Sequence, residues 1–128
     1  RILAILPNAY MGGKTAGIAM AGGEVPENKM MPMNAIGFFG LHIITAGSYE
    51  GEVFELKDGE NYKKLFYSND TLRGFILVGN VDKAGIYTAL IREKTPLSSI
   101  DFELVCKEPS LIAFSKSYRD EKLGGKVQ

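Results

Sequence analysis

Chemistry-bearing residues are sparse in this sequence and stand apart from one another. Gly13-Lys14-Thr15 has the ending of a phosphate-binding loop. That loop needs a glycine five positions before Gly13, where Asn8 stands, and a buried strand leading in, whereas Pro7 suits a helix start. His42 has no serine, cysteine or carboxylate at a spacing that would make a triad, so it reads as a structural histidine. Cys106 is the one cysteine, which excludes an internal disulfide and any paired-cysteine redox or zinc motif. Met30, Met31 and Met33 cluster, but thioethers without nearby His or Cys make hydrophobic filler rather than a metal site. Spacing therefore assigns no catalytic and no metal-binding residue.

The elements that would position a site belong to a chain of 128 residues, enough for one full hydrophobic core. Lys plus Arg number 15 and Asp plus Glu number 15, so no net field favours nucleic acid or an anionic membrane surface. No basic run with interleaved aromatics is present, and nucleic acid is excluded as a partner. No apolar run approaches the length of roughly 20 residues that spans a bilayer. A single cysteine suits a reducing compartment, and a cytoplasmic location is expected.

The organising stretch is Leu72–Ile100. Phe75-Ile76-Leu77-Val78 is a continuous apolar run, predicting a strand buried on both faces. Gly79-Asn80 stops it, with Asn80 as the N-cap of a helix over 81–94 and Asp82 in its first turn. Ala84, Tyr87, Leu90 and Ile91 give that helix an apolar face, and Thr95-Pro96 ends it. Upstream, Asn34–Ala46 reads as one strand in which Phe38 and Phe39 point to opposite faces, one into the core and one toward a partner. Gly37 and Gly40 mark a bulge or a close backbone approach in it. Glu52–Tyr67 reads as a hairpin turning at Asp58-Gly59, and Ser68–Thr71 as a second turn. Beyond Pro96 the pattern predicts short helices with Leu111, Ile112 and Phe114 apolar, then an exposed, frayed tail from Tyr118.

The ends of the chain differ from this. Arg1 opens without methionine, and Ile2–Leu6 reads as a strand or connector cut from something longer. From Pro7 to Ala21 small residues dominate a predicted helix, whose glycines each cost roughly 1 kcal/mol relative to alanine. Close packing against another domain or a flat ligand would offset that. Glu24–Pro32 carries two prolines and no periodicity, and is a linker. The fold class predicted is α+β: an antiparallel meander sheet of about three to five strands with helices packed on one face.

Three stretches, PNAYMGGKTAGIAMAGG, PMNAIGFFGLHIITAG and RGFILVGNVDKAGIYTALIREKTPLSSID, together resemble one family. It is the C-terminal region of FAD-dependent pyridine nucleotide-disulfide oxidoreductases, of the NADH:rubredoxin reductase and NAD(P)H nitrite reductase flavin-subunit type. The resemblance implies that residues 1–23 end an FAD-binding domain with its flavin-edge helix, that 24–33 are a linker, and that 34–128 form a C-terminal interface, or dimerisation, domain. It further implies that Asn8, Ala9 and Tyr10 lie near the pyrimidine edge of the isoalloxazine. Phe38 and Phe39 would lie on the strand that brings the interface domain to the flavin.

No dinucleotide fingerprint is present, so neither nucleotide fold lies within these residues. The parent protein would use FAD as cofactor and NAD(P)H as substrate. It would pass electrons to rubredoxin, a nitrite reductase centre, oxygen or a disulfide, and this piece alone would be catalytically inert. Its partners would be its own FAD and NAD domains, a second copy in a homo-oligomer, and an electron-acceptor protein. The alternative is a free-standing α+β binding or adaptor module without redox activity, which predicts a monomer whose first helix packs on its own sheet.

Overall fold

A computed structural model describes residues 5–27 and 29–124. Its sheet has five strands: β1 (Met33–Phe38), β2 (Leu41–Gly47), β3 (Glu52–Asp58), β4 (Asn61–Ser68) and β5 (Thr71–Val78). The spatial order is β1-β2-β5-β4-β3, and every neighbouring pair is antiparallel. The helices are α1 (Leu6–Met20), α2 (Ala84–Glu93), α3 (Phe102–Lys107) and α4 (Lys116–Leu123), with single 3-10 turns at Leu97–Ser99 and Leu111–Ala113. The α+β class is as the sequence predicts. Spatial order departs from chain order at one place, since β2 pairs with β5 rather than β3.

The register explains where the core lies. Ala46 and Leu65 stand opposite Phe75, and Ile44 and Lys63 opposite Leu77, so all six share one face. That face receives Tyr87 and Leu90 of α2, Val105 of α3 and Phe114. The Phe75 and Tyr87 rings lie 5.5 Å apart at its centre. Each large apolar side chain buried there contributes about 1.5–3 kcal/mol. The other face carries Ile36, Phe38, Ile43, Ile76 and Val78 along the same strands, all half-buried or exposed. The prediction of a strand buried on both faces is thus corrected: β5 buries Phe75 and Leu77 on one face and leaves Ile76 and Val78 half-buried on the other.

Gly47 and Gly74 face each other between β2 and β5 because the two backbones approach too closely for side chains. A Cβ at Gly74 would meet the carbonyl oxygen of Ser48, and one at Gly47, where φ is +79°, the carbonyl oxygen of Arg73.

Several local expectations are corrected. Asn34–Ala46 is two strands, turning at Phe39 and Gly40 with φ of +47° and +83°. Neither phenylalanine enters the core: Phe38 is 66% and Phe39 95% exposed. The β3–β4 turn centres on Gly59-Glu60, one residue beyond the predicted pair, because Asp58 already pairs with Asn61. Asn69 and Asp70, both at positive φ, make the second turn where it was expected. Asn80 does not cap α2. Its Oδ1 accepts from the Asp82 N–H at 3.1 Å in a local turn, and the helix starts only after Lys83, itself left-handed at φ +61°.

The C-terminal segment is also more ordered than expected. Lys116–Leu123 is helical, capped by Ser115, whose Oγ accepts from the Tyr118 N–H. Tyr118 stacks on Phe114 at 4.7 Å and donates its hydroxyl to Glu93 Oε2 at 3.1 Å. Ile112 is exposed, so the apolar side of that segment is Leu111, Ala113 and Phe114. The predicted connector at Ile2–Leu6 lies mostly outside the described residues, and Leu6 opens α1.

Candidate functional site

The residues singled out by resemblance fall at two places. Pro7 stands at the start of α1, where its missing N–H costs nothing. The cap position, Ile5, offers no side-chain acceptor, and no acidic residue stands in the first turn. The Ala9 N–H already bonds the Ile5 carbonyl at 3.0 Å. Partial positive charge of the helix end is thus left unneutralised by any described side chain.

Asn8 behaves differently from its neighbours. It is 2% exposed and the one buried residue of α1. Its Nδ2 donates to the Met31 carbonyl at 2.9 Å, tying the helix to the linker just before β1. Its Oδ1 is buried without a partner among the described residues, a state that costs about 1–3 kcal/mol. Tyr10 is 73% exposed, as are Leu6 at 86% and Met20 at 89%. Gly13 and Gly17 have open space where a side chain would go, and only Gly12 faces anything, the Met30 sulfur at 3.8 Å.

Phe38 and Phe39 form the second place, the tip of the β1–β2 hairpin. Their rings meet edge to face at 4.5 Å. The tip stands five residues beyond Met33, roughly 17 Å along an extended strand from the end where α1 is anchored. Among the described residues no hydrogen bond or ring contact joins the tip to α1.

A cleft that sequence reasoning missed, of about 420 Å³, opens between the β3–β4 end of the sheet and α2 and α3. Lys63 and Tyr87 line it, and both are committed to structure. Lys63 Nζ donates to the Cys106 and Lys107 carbonyls at 3.0 and 2.8 Å, and the Tyr87 hydroxyl to the Val105 carbonyl at 2.8 Å. Three carbonyls at the end of α3 are thereby satisfied by two side chains from other elements. Burial pushes the Lys63 ammonium below its ordinary range and the Tyr87 phenol well above its own. Only long-range pairing creates this arrangement, so no sequence spacing signals it.

Cys106 is 4% exposed, and burial pushes its thiol up to about 11. It stays protonated at neutral pH and is no nucleophile. His42 is exposed on β2. Among the described residues no three His, Cys, Asp or Glu side chains come together, and no helix is long and apolar enough to cross a membrane.

The decisive comparison falls on the sheet. The family described as rubredoxin NAD+ reductase C-terminal domain matches residues 32–95, which is half of the chain. The chain belongs to that family. The match runs from Pro32 through all five strands and α2, so this family's domain contains the Phe38-Phe39 tip and leaves α1 outside. A curated relative, the NADH-dependent phenylglyoxylate dehydrogenase subunit epsilon of Aromatoleum evansii, is 36% identical over 106 residues, covering 76% of this chain. The chain spans about a quarter of that relative's length, 25%.

Proposed function

We propose that this chain is the C-terminal part of an FAD-dependent, NAD(P)H-oxidising flavoprotein. In this reading residues 1–23 end the FAD-binding domain, 24–33 link, and 34–128 form the interface domain. The observation that carries it is the state of α1, a helix of 15 residues that buries one side chain of its own and leaves Leu6, Tyr10 and Met20 exposed. Gly13 and Gly17 face open space, as expected if the packing partner is a domain or a flat cofactor beyond these residues.

The residues fit a flavin in charge. An uncapped helix N-terminus without acidic neighbours favours negative charge placed before it, as on the pyrimidine edge of a reduced isoalloxazine. Asn8, Ala9 and Tyr10 would lie near that edge. The Asn8 amide holds the helix in place from below, and Tyr10 is free to meet the ring system. Phe38 and Phe39 would lie on the strand that brings the interface domain to the flavin. The chemistry supplied by bound FAD is hydride acceptance from NAD(P)H and electron transfer to an acceptor such as rubredoxin, a nitrite reductase centre, oxygen or a disulfide. The fragment supports this by interdomain and homo-oligomer contacts and is inert alone, in the cytoplasm.

The test compares FAD retention by this purified chain and by the full-length gene product. The long form should hold FAD and be reduced by NADH, while this chain binds little. A full-length product that holds no flavin would overturn the reading in favour of an adaptor module.

A further inference from the structure

The two edges of the sheet differ in character. β3 carries Glu52, Glu55, Lys57 and Asp58. β1 has no ionisable side chain and no proline, and all its residues except Met33 are exposed. Charged side chains are the usual means by which an edge strand is kept from pairing, and β1 lacks them.

The Gly47 N–H donates to the Pro32 carbonyl at 2.9 Å, which fixes the phase of the β1–β2 ladder. Because bonded and non-bonded pairs alternate in an antiparallel ladder, Asn34, Ile36 and Phe38 turn their backbone groups toward β2. Met33, Ala35 and Gly37 therefore present N–H and C=O at the free edge, with Ala35 in the middle.

We propose that this edge binds a second copy of the chain, β1 to β1, antiparallel about a two-fold axis at Ala35. In that register Ala35 meets the partner's Ala35, Met33 meets the partner's Gly37, and Asn34 stands beside the partner's Ile36. Small faces small at the axis, and the one long side chain on that face lies over a glycine. No charge opposes another. The same operation on β3 sets Glu55, the midpoint of Glu52–Asp58, against its own copy and Glu52 against Asp58, like charges directly opposite. In the register centred on each strand the β1 edge is self-complementary and the β3 edge is not, and an isologous contact of this kind closes at two copies.

This inference deepens the homo-oligomer part of the reading above and uses no flavin. The test is sedimentation velocity of the chain with Ala35→Glu and Ala35→Lys, each alone and mixed in equal amounts, with circular dichroism as a check on folding. The wild type should be a dimer, each variant alone a monomer of unchanged spectrum, and the mixture a dimer again. A wild-type dimer left intact by both substitutions overturns the β1 edge while leaving homo-association standing. A mixture that stays monomeric overturns the register. A wild type that is monomeric at high micromolar concentration overturns both the edge and homo-association, and leaves FAD retention by the full-length protein to decide the flavin reading.

Discussion

Phe39 holds a backbone conformation that its side chain opposes. At φ +47° it lies in the left-handed region, and its ring is 95% exposed, with the likewise exposed Phe38 ring beside it, so burial does not compensate for the strain. Such strain costs about 1–3 kcal/mol and is characteristic of positions kept for function. Phe39→Gly should therefore raise stability by about 1 kcal/mol in a urea titration, because glycine enters this region freely. In the full-length protein the same change should weaken FAD retention, if the tip forms a wall of the flavin site. A lower urea midpoint would contradict the strain, and unchanged FAD retention would remove Phe39 from the site.

At the scale of elements, α3 is held by its neighbours more than by itself. Six residues are too few for an independent helix, and its last carbonyls depend on Lys63 and Tyr87. Lys63→Met keeps the alkyl stem and removes the ammonium, leaving the Cys106 and Lys107 carbonyls to weaker partners. The expected loss is about 1–3 kcal/mol in equilibrium unfolding, with FAD binding by the full-length protein unaffected. Elements of this kind also mark what the sequence hides. The β5–α2 unit was legible because Phe75–Val78 and the Ala84–Leu90 face follow their periods closely. The break at Phe39 was illegible because a left-handed phenylalanine runs against local preference, and register rather than propensity sets it there. The sequence of Lys116–Leu123 reads as a tail because it has almost no apolar side, and Tyr118 anchors it through the nearby Phe114 ring and through Glu93, 25 residues back in the chain.

For the molecule as a whole, motifs name candidate residues and do not give their geometry. Asn8 and Phe38 could be named from the motifs that carry them, yet nothing in those motifs tells that Asn8 turns inward to Met31. That outcome depends on where the linker runs. The same feature predicts how separable the parts are. Since α1 is tied to Met31 by the Asn8 amide and Met11, Gly12, Thr15 and Ile18 are no more than half-buried, removing residues 1–23 should shift the unfolding free energy of the remaining chain by only about 1–3 kcal/mol. A loss of cooperative unfolding in the 24–128 chain would contradict the domain boundary.

The position of β5 has a consequence for how the chain comes off the ribosome. It is last of the strands in sequence and central in space, between β2 and β4. Until residue 78 has emerged, the earlier strands are two local hairpins, each able to form within microseconds and neither with a partner for its inner edge. Synthesis delivers the keystone after the arch stones, so the nascent chain carries two open edges for the time that Thr71–Val78 takes to appear. The inner edges, β2 and β4, run through Leu41–Gly47 and Asn61–Ser68, and only the latter carries lysines. Of these two inner edges β2 is accordingly the more open to wrong pairing during that interval, and it is Gly47, with Gly74 opposite, that leaves room for the right partner when it arrives.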